Sequence, residues 1–418
     1  MVKRGKTALV LAGGGLTGAV YEIGALRAID DLLVDRTVND FDIYVGTSAG
    51  SLVASFIANG VSPEEMLRVI DGTHPYATNI ERRHLFNLNW WDYIGWGAKL
   101  PLKLASAWSH YLRHIGDMTV FDFMLSLAEA LPSGLYDIMG LEEFVRKGML
   151  DFGYSNSFTN LRRELYIIAT DLDTGERTVF GRDPIDTSIS MAVAASSALP
   201  MLYKPVRING RDYVDGGTRG NASIDVAIEA GATMVVVFNP LVPFDNSGGD
   251  KIPFLGPDGG HLSDKGVQSI ANQVFRIMLH SGLQYHVKQL RRAHPEVDII
   301  LIEPSPEDYQ MFFYNIMRYS ARLIVARHGF ESVTLNLAAE YQNFKEILAR
   351  HGIPISRRLV IEELAEISNS DYDPAVIRRV LEARSNNPCS QRDTPLCELS
   401  RSLAELEMAL DEIAQSQS

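Results

Sequence analysis

Five short apolar runs, set between helical patterns, constrain this chain most. They are Thr7–Ala12, Asp42–Val45, Leu165–Thr170, Thr233–Phe238 and Asp298–Glu303. Runs of this length, apolar at successive rather than alternate positions, read as strands buried on both faces of a parallel sheet. A helix is expected from about Gly18 to Val34, where Val20, Ile23, Leu26, Ile29 and Leu33 keep helical spacing. Asp30 and Asp31 are expected to face outward. Ser51–Asn59 is a second helix, ended by Gly60 and Pro63, and Ser223–Ala230 a third, closed by Gly231. This alternation predicts an α/β chain: a three-layer α/β/α fold with a mainly parallel central sheet. Tyr203–Val214 reads as a β-hairpin turning at Asn209-Gly210.

A mostly helical insertion interrupts the alternation over about 60–164, and 240–266 reads as a long loop rich in Gly, Pro and Asp. The pattern is helical again over Val267–Arg292 and Tyr309–Ala349. We expect one catalytic-type domain over 1–330 and an acidic C-terminal helical extension over 331–418. That extension holds 15 acids and 9 bases. Within it, Ser385–Thr394 reads as a linker and Leu403–Ala414 as a terminal helix.

Charge and cysteine content exclude several function classes. The 418 residues carry a net charge of −13, the wrong sign for a nucleic-acid partner, which needs a basic footprint. Two cysteines, Cys389 and Cys397, are too few for a disulfide scaffold or a Cys-rich zinc site, and they fit a reducing cytosol. The basic start is followed by only six apolar residues before Gly13, short of the roughly 7–15 of a signal core. No run reaches the ~20 apolar residues of a spanning helix. A cytoplasmic protein, soluble or peripheral on a membrane, is expected.

Two glycine-rich turns follow predicted strands and open predicted helices. Gly13-Gly14-Gly15-Leu16-Thr17-Gly18 fits the G-x-G-x-x-G dinucleotide fingerprint, with Asp35, Asp40 and Asp42 about 20 residues on as candidate ribose ligands. Amides at such a helix start attract negative charge, whether a pyrophosphate or a developing oxyanion. Gly46-Thr47-Ser48-Ala49-Gly50 has the G-x-S-x-G form of a nucleophile elbow. Gly46 and Gly50 free the space where strand and helix crowd, and Ser48 is exposed at the carboxyl end of the sheet. A dinucleotide domain would tend to end this strand in an acid instead.

A serine hydroxyl needs a group to take its proton. None of the ten histidines (74, 84, 110, 114, 261, 280, 286, 294, 328 and 351) stands in an obviously catalytic setting, and His294 comes nearest. Asp215, bracketed by Gly216 and Gly217 after the hairpin, is the stronger candidate. Its competing reading is an ordinary Asp-Gly turn. Asp171 and Asp173 read as a turn rather than as cation ligands.

These three segments together resemble the patatin-like phospholipase family. Ala169-Thr170-Asp171-Leu172-Asp173-Thr174-Gly175 and Ala195-Ser196-Ser197-Ala198-Leu199-Pro200 support the resemblance, which spans about 7–240. It implies a patatin-like fold, a Ser48–Asp215 dyad without histidine and an oxyanion hole at Gly13, Gly14, Gly15 and Leu16. It also implies hydrolysis of lipid acyl esters, of phospholipase A or lysophospholipase type, with no metal or cofactor. Thr17 departs from the family, which usually has Arg or Lys there. A catalytically weak lipid-binding member and an NAD(P)-binding oxidoreductase stay as alternatives.

All four tryptophans, Trp90, Trp91, Trp96 and Trp108, fall in one window. Residues 81–114 carry five Arg or Lys against two acids. Trp at an interface and Lys beside anionic headgroups suit a transient membrane contact, an interfacial cap that guides lipid. The other reading is that these rings pack on the catalytic domain or line an acyl channel. Val267–Arg292 reads as a helix packed on the sheet rather than one touching membrane. The pattern fixes no oligomeric state.

Overall fold

The computed structural model describes residues 5–34, 36–75, 80–88, 133–247, 260–308, 311–312, 319–383 and 402. In chain order its strands and α-helices begin with β1 (Lys6–Leu11), α1 (Gly15–Leu32), β2 (Ile43–Thr47), α2 (Ala49–Ala58), α3 (Pro63–Asp71), α4 (Arg82–Leu85), β3 (Gly134–Tyr136) and α5 (Met139–Asp151). They continue with β4 (Glu164–Asp171), β5 (Arg177–Phe180), α6 (Ile189–Ser196), β6 (Met201–Tyr203), β7 (Val206–Ile208), β8 (Arg211–Asp215), α7 (Ile224–Glu229) and β9 (Ala232–Phe238). The last are α8 (Val267–Ala293), β10 (Asp298–Ile302), α9 (Tyr319–Ala339), α10 (Tyr341–Arg350), α11 (Arg358–Asn369) and α12 (Pro374–Glu382).

The five apolar runs are the parallel core of the sheet. Its order is β10-β9-β1-β2-β4-β8-β7, with β5 also paired to β4. The contacts from β10 through β4 are parallel, and those of β4 with β5 and β8, and of β7 with β8, are antiparallel. Thr7–Leu11 and all of β2 are buried, as strands covered on both faces must be. Leu9, Leu11, Tyr44 and Ile167 pack under α1, α2, α6 and α9. Ala8, Val10, Ile43 and Val45 pack under α7 and the second half of α8. The expected three layers and mainly parallel sheet are therefore present. β7 and β8 form the expected hairpin, with Asn209 and Gly210 both at positive φ, 50° and 82°.

One expectation about the helices fails. Asp30 and Asp31 are buried, not outward. α1 is covered on nearly every side, and its acids are matched inside. Asp30 Oδ1 accepts the Val38 amide at 2.6 Å, and Asp31 is paired with Arg27. Among the described residues the helical pattern over Tyr309–Ala349 is met by α9 and α10, with a break at Glu340 between them.

The described C-terminal helices lie against α1. Arg27, fully buried, reaches both carboxylate oxygens of Glu363 in α11 at 3.3 Å and the Val380 carbonyl in α12 at 3.3 Å. Among the described residues no helix is long and apolar enough to cross a membrane.

Candidate active site

Strand register brings the two candidate residues together. Thr47 of β2 pairs with Ile168 of β4, so the chain leaves β2 at Ser48 beside Ala169. On the other side of β4, Asp215 of β8 pairs with Ala169 itself. Ser48 and Asp215 thus flank one residue of the sheet, at the carboxyl end of its parallel strands. Both are buried, so Ser48 is not exposed as expected: the turn places it under the glycine run, and its Oγ donates to Asp215 Oδ2 at 2.5 Å.

The elbow is strained. Ser48 stands at φ 53° and ψ −126°, a backbone region that non-glycine residues rarely adopt. The geometry survives because its surroundings over-determine it. The Ser48 amide donates to Ser196 Oγ at 2.8 Å, and Ser196 Oγ donates to the Ile168 carbonyl at 2.5 Å. The Ser48 carbonyl accepts from Ser51 N at 2.9 Å and Ser51 Oγ at 2.6 Å. A Cβ at Gly46 would sit 2.4 Å from Ser51 Cα, and one at Gly50 2.4 Å from the Leu11 carbonyl. Both glycines are therefore required by close packing at the strand-to-helix turn.

Asp215 is held as tightly. Its Oδ1 accepts the Gly217 amide at 2.7 Å, and its own amide donates to the Ala198 carbonyl at 2.9 Å. Burial pushes its carboxyl up to about 6 from 3.8, against the opposing pull of the hydrogen bonds from Ser48 and Gly217. A carboxylate with that value is a much better proton acceptor than a solvated aspartate and is still mostly ionised at neutral pH.

The glycine turn lies over Ser48. A Cβ on Gly13 would be 3.2 Å from Ser48 Cβ and 2.8 Å from Asn221 Oδ1. The Gly13 amide is taken, donating to the Asn221 carbonyl at 3.2 Å. The amides of Gly14, Gly15 and Leu16, at the cap and first positions of α1, have no intrahelical acceptor by the geometry of a helix start. They can receive negative charge, helped by the positive end of the α1 dipole. Gly14 and Gly18 owe their missing Cβ to Pro240, which would lie 2.5 Å and 2.9 Å from it. That space is used by the protein's own chain. Thr17 is half-buried in the first turn of α1.

The other candidates fall apart from this site. Asp42 accepts from Thr7 N and Thr7 Oγ1 at 2.9 and 3.1 Å and so holds β1, and Asp40 caps the turn at Thr37 before β2. Asp171 Oδ1 accepts the amides of Asp173 and Thr174, which makes the segment a turn as expected. His294 sits near Glu296 on the surface. Among the described residues no cluster of His, Cys, Asp or Glu is arranged to hold a metal. Trp90, Trp91, Trp96, Trp108, Asp35, Cys389 and Cys397 lie outside the described residues.

Sequence reasoning missed two structural partners of the site. Ser196 is 148 residues from the amide it anchors. Asn221, whose carbonyl fixes Gly13, follows Asp215 by six residues in the same glycine-rich stretch, and that closeness was the available signal. Its Nδ2 donates to Asn239 Oδ1 at 2.8 Å, and Asn239 Nδ2 donates to Glu303 Oε1 at 2.7 Å. A polar chain thus runs from the glycine turn along the carboxyl ends of β9 and β10.

A family model described as patatin-like phospholipase matches residues 9–228, more than half of the chain. The chain belongs to the patatin-like phospholipase family. The patatin-like span holds Gly13–Gly18, Ser48 and Asp215 together. A protein named as a probable lipid hydrolase, from Invertebrate iridescent virus 6, is 23% identical over 222 residues, 53% of this chain and 63% of its own length. An uncharacterized protein of Bacillus subtilis (strain 168), YqhO, is 26% identical over 227 residues, 51% of this chain and 64% of its own. The chain thus spans less than two thirds of these relatives' length. VipD of Legionella pneumophila aligns over 99% of this chain and 87% of its own, with 15% identity and a TM-score of 0.34, a likeness too low to add to the fold.

Proposed function

We propose that this patatin-like chain is a serine lipid acyl hydrolase that cleaves carboxylic esters, of phospholipase A or lysophospholipase type. The observation that carries the reading is the 2.5 Å hydrogen bond from Ser48 Oγ, in its strained elbow, to the buried Asp215 carboxylate. Asp215 takes the hydroxyl proton as Ser48 Oγ attacks the ester carbonyl. The carbonyl oxygen becomes an oxyanion held by the amides of Gly14, Gly15 and Leu16. Collapse expels the alcohol, which leaves with the proton from Asp215, and an acyl-Ser48 ester remains. Water then adds to that ester, giving its proton to Asp215. The second collapse frees the fatty acid and returns the proton to Ser48.

A cavity of about 500 Å3 supports a lipid substrate. It begins at Leu16 and at Leu52, one helical turn past Ser48, and runs between Phe56, Met66 and Phe144. Its apolar side chains suit an acyl chain, though Glu65, Arg83, Glu143, Lys147 and Asp151 also line it. The name of the viral relative, a probable lipid hydrolase, points the same way. In this reading residues 1–330 form the catalytic unit, about 60–164 its cap and 331–418 an extension, in a cytoplasmic protein that meets membranes peripherally.

The test is a panel of phospholipid, lysophospholipid and neutral-lipid esters, with wild type beside Ser48→Ala and a fluorophosphonate probe on both. Wild type should release fatty acid and take the label, and Ser48→Ala should do neither. Equal turnover by the two proteins would refute the assignment.

A further inference from the structure

α8 has two apolar faces, and the fold uses one. Its buried residues are Arg276, Leu283, Val287 and Leu290. At about 100° per residue these lie on one side, which packs toward the sheet. The opposite side carries Val267, Ile270, Val274, Phe275, Ile277, Met278 and Tyr285, all exposed, within an arc of about 160°. Val267 is 82% exposed, Met278 68% and Tyr285 66%. In the first sixteen residues of the helix only Arg276 is buried, and its guanidinium turns inward to the carbonyls of Val242 and Met311 at 3.0 Å each. Helices of water-exposed surfaces carry charge on this side. α8 has no acid along its whole length, and its remaining Lys and Arg, Lys288, Arg291 and Arg292, lie at the far end.

The position of this face fits its chemistry. β9 and β10 are parallel, so α8 must return from the carboxyl edge of the sheet to its amino edge. Its apolar first half therefore lies at the edge that holds Ser48 and Asp215. Further along, His280 and Gln284 meet Glu303 at 3.4 and 3.0 Å, at the end of the polar chain from Asn221. A second copy of the helix fits less well. The seam Val267, Ile270, Val274, Ile277 continues into Ser281, Gln284 and Lys288, so the heptad pattern ends after two repeats.

We infer that the outer face of α8, from Val267 to Met278, is a docking surface for a zwitterionic phospholipid bilayer. The helix lies in the bilayer interface amino end first and presents the Ser48 edge to the lipid. Large uncharged apolar faces on a helix at a surface bind in this way, with strength set by apolar area. The inference rests on the proposed lipid hydrolase activity, and its test reads binding separately from turnover.

The experiment uses the full chain and phosphatidylcholine vesicles, followed by co-sedimentation. The proteins are wild type, Val274→Glu/Met278→Glu, Ser48→Ala, and Ile361→Glu as a control at an exposed position of α11. Wild type, Ser48→Ala and Ile361→Glu should sediment alike. The double variant should partition at least about tenfold more weakly while keeping the melting temperature and the turnover of a soluble short-chain ester. Adding phosphatidylserine should change wild-type binding little. Equal binding by the double variant, or wild-type binding only to anionic vesicles, would overturn the inference. So would a wild-type dimer that the double variant dissociates. Absence of ester turnover in wild type with vesicle binding intact would instead remove the hydrolase reading alone.

Discussion

Asp215 holds two hydrogen bonds on one buried carboxylate: Ser48 Oγ on Oδ2 at 2.5 Å and the Gly217 amide on Oδ1 at 2.7 Å. Even with both, burial leaves its carboxyl at about 6, above the ordinary 3.8. The ionised form is therefore the costly one.

A pH dependence follows with a definite sign. Between about pH 4 and 6 the folded protein keeps a proton that the unfolded chain has released. Stability from this group is full below that window and falls by about 3 kcal/mol as pH rises through it. Asp215→Asn mimics the protonated acid. It should hydrolyse no ester, yet resist denaturant better than wild type at pH 7.5, with the advantage fading toward pH 4. A variant less stable than wild type at pH 7.5 would contradict this. The wild-type kcat/KM should fall as pH drops below about 6.

The strain at Ser48 is separable from its chemistry. Ser48→Ala removes the hydroxyl but leaves a Cβ at φ 53°. Ser48→Gly removes both. Strain of this kind costs about 1–3 kcal/mol, more than the roughly 0.5–1 kcal/mol that glycine's unfolded freedom costs. Both variants should be inactive, and the glycine variant should melt higher. The reverse order of melting temperatures would mean that the elbow stores no strain.

Ser196 holds the backbone of Ser48 in place. Its hydroxyl accepts the Ser48 amide and donates to the Ile168 carbonyl, so Ser196→Ala leaves two buried backbone groups without a partner. A loss of about 1–3 kcal/mol in denaturant stability is expected. A small displacement of Ser48 lowers kcat more than it changes KM, by roughly tenfold to a hundredfold. Steady-state kinetics on a soluble ester would show it, and an unchanged kcat would exclude the positioning role.

The contrast between Ser48 and Ser196 explains what the sequence made legible. Ser48 sits in a local pattern, glycine on either side at the end of an apolar run, where five residues specify the turn. Ser196 acts across 148 residues; its segment supports the family resemblance, but nothing local names the amide that it anchors. The five buried strands were readable because both faces are covered, which makes every position apolar. β5 (Arg177–Phe180) was missed because four residues beside β4 give too short a pattern. The order of the parallel strands is set by crossovers that no local window contains. Asp30 and Asp31 were misplaced because acids on a helix ordinarily face solvent, and here Val38 and Arg27 meet them inside.

Arg27 decides whether the C-terminal helices stand apart from the sheet. Its side chain is wholly buried, shared between Asp31 of α1 and Glu363 of α11, and it also donates to the Val380 carbonyl of α12. Burial holds the Glu363 carboxyl above its usual range, and Arg27 opposes that shift. Arg27→Met would strand two acids in the interior, and breaking such a pair costs about 3–5 kcal/mol. The double change Arg27→Met/Glu363→Leu removes one of those acids and should recover part of the loss. A fragment ending at residue 350 also loses the Ser356 amide bond to the Leu32 carbonyl and should be at least as unstable as Arg27→Met. Urea denaturation of the three proteins reads this directly. Arg27→Met within about 1 kcal/mol of wild type, or a fragment as stable as the full chain, would show that α11 and α12 fold independently of α1.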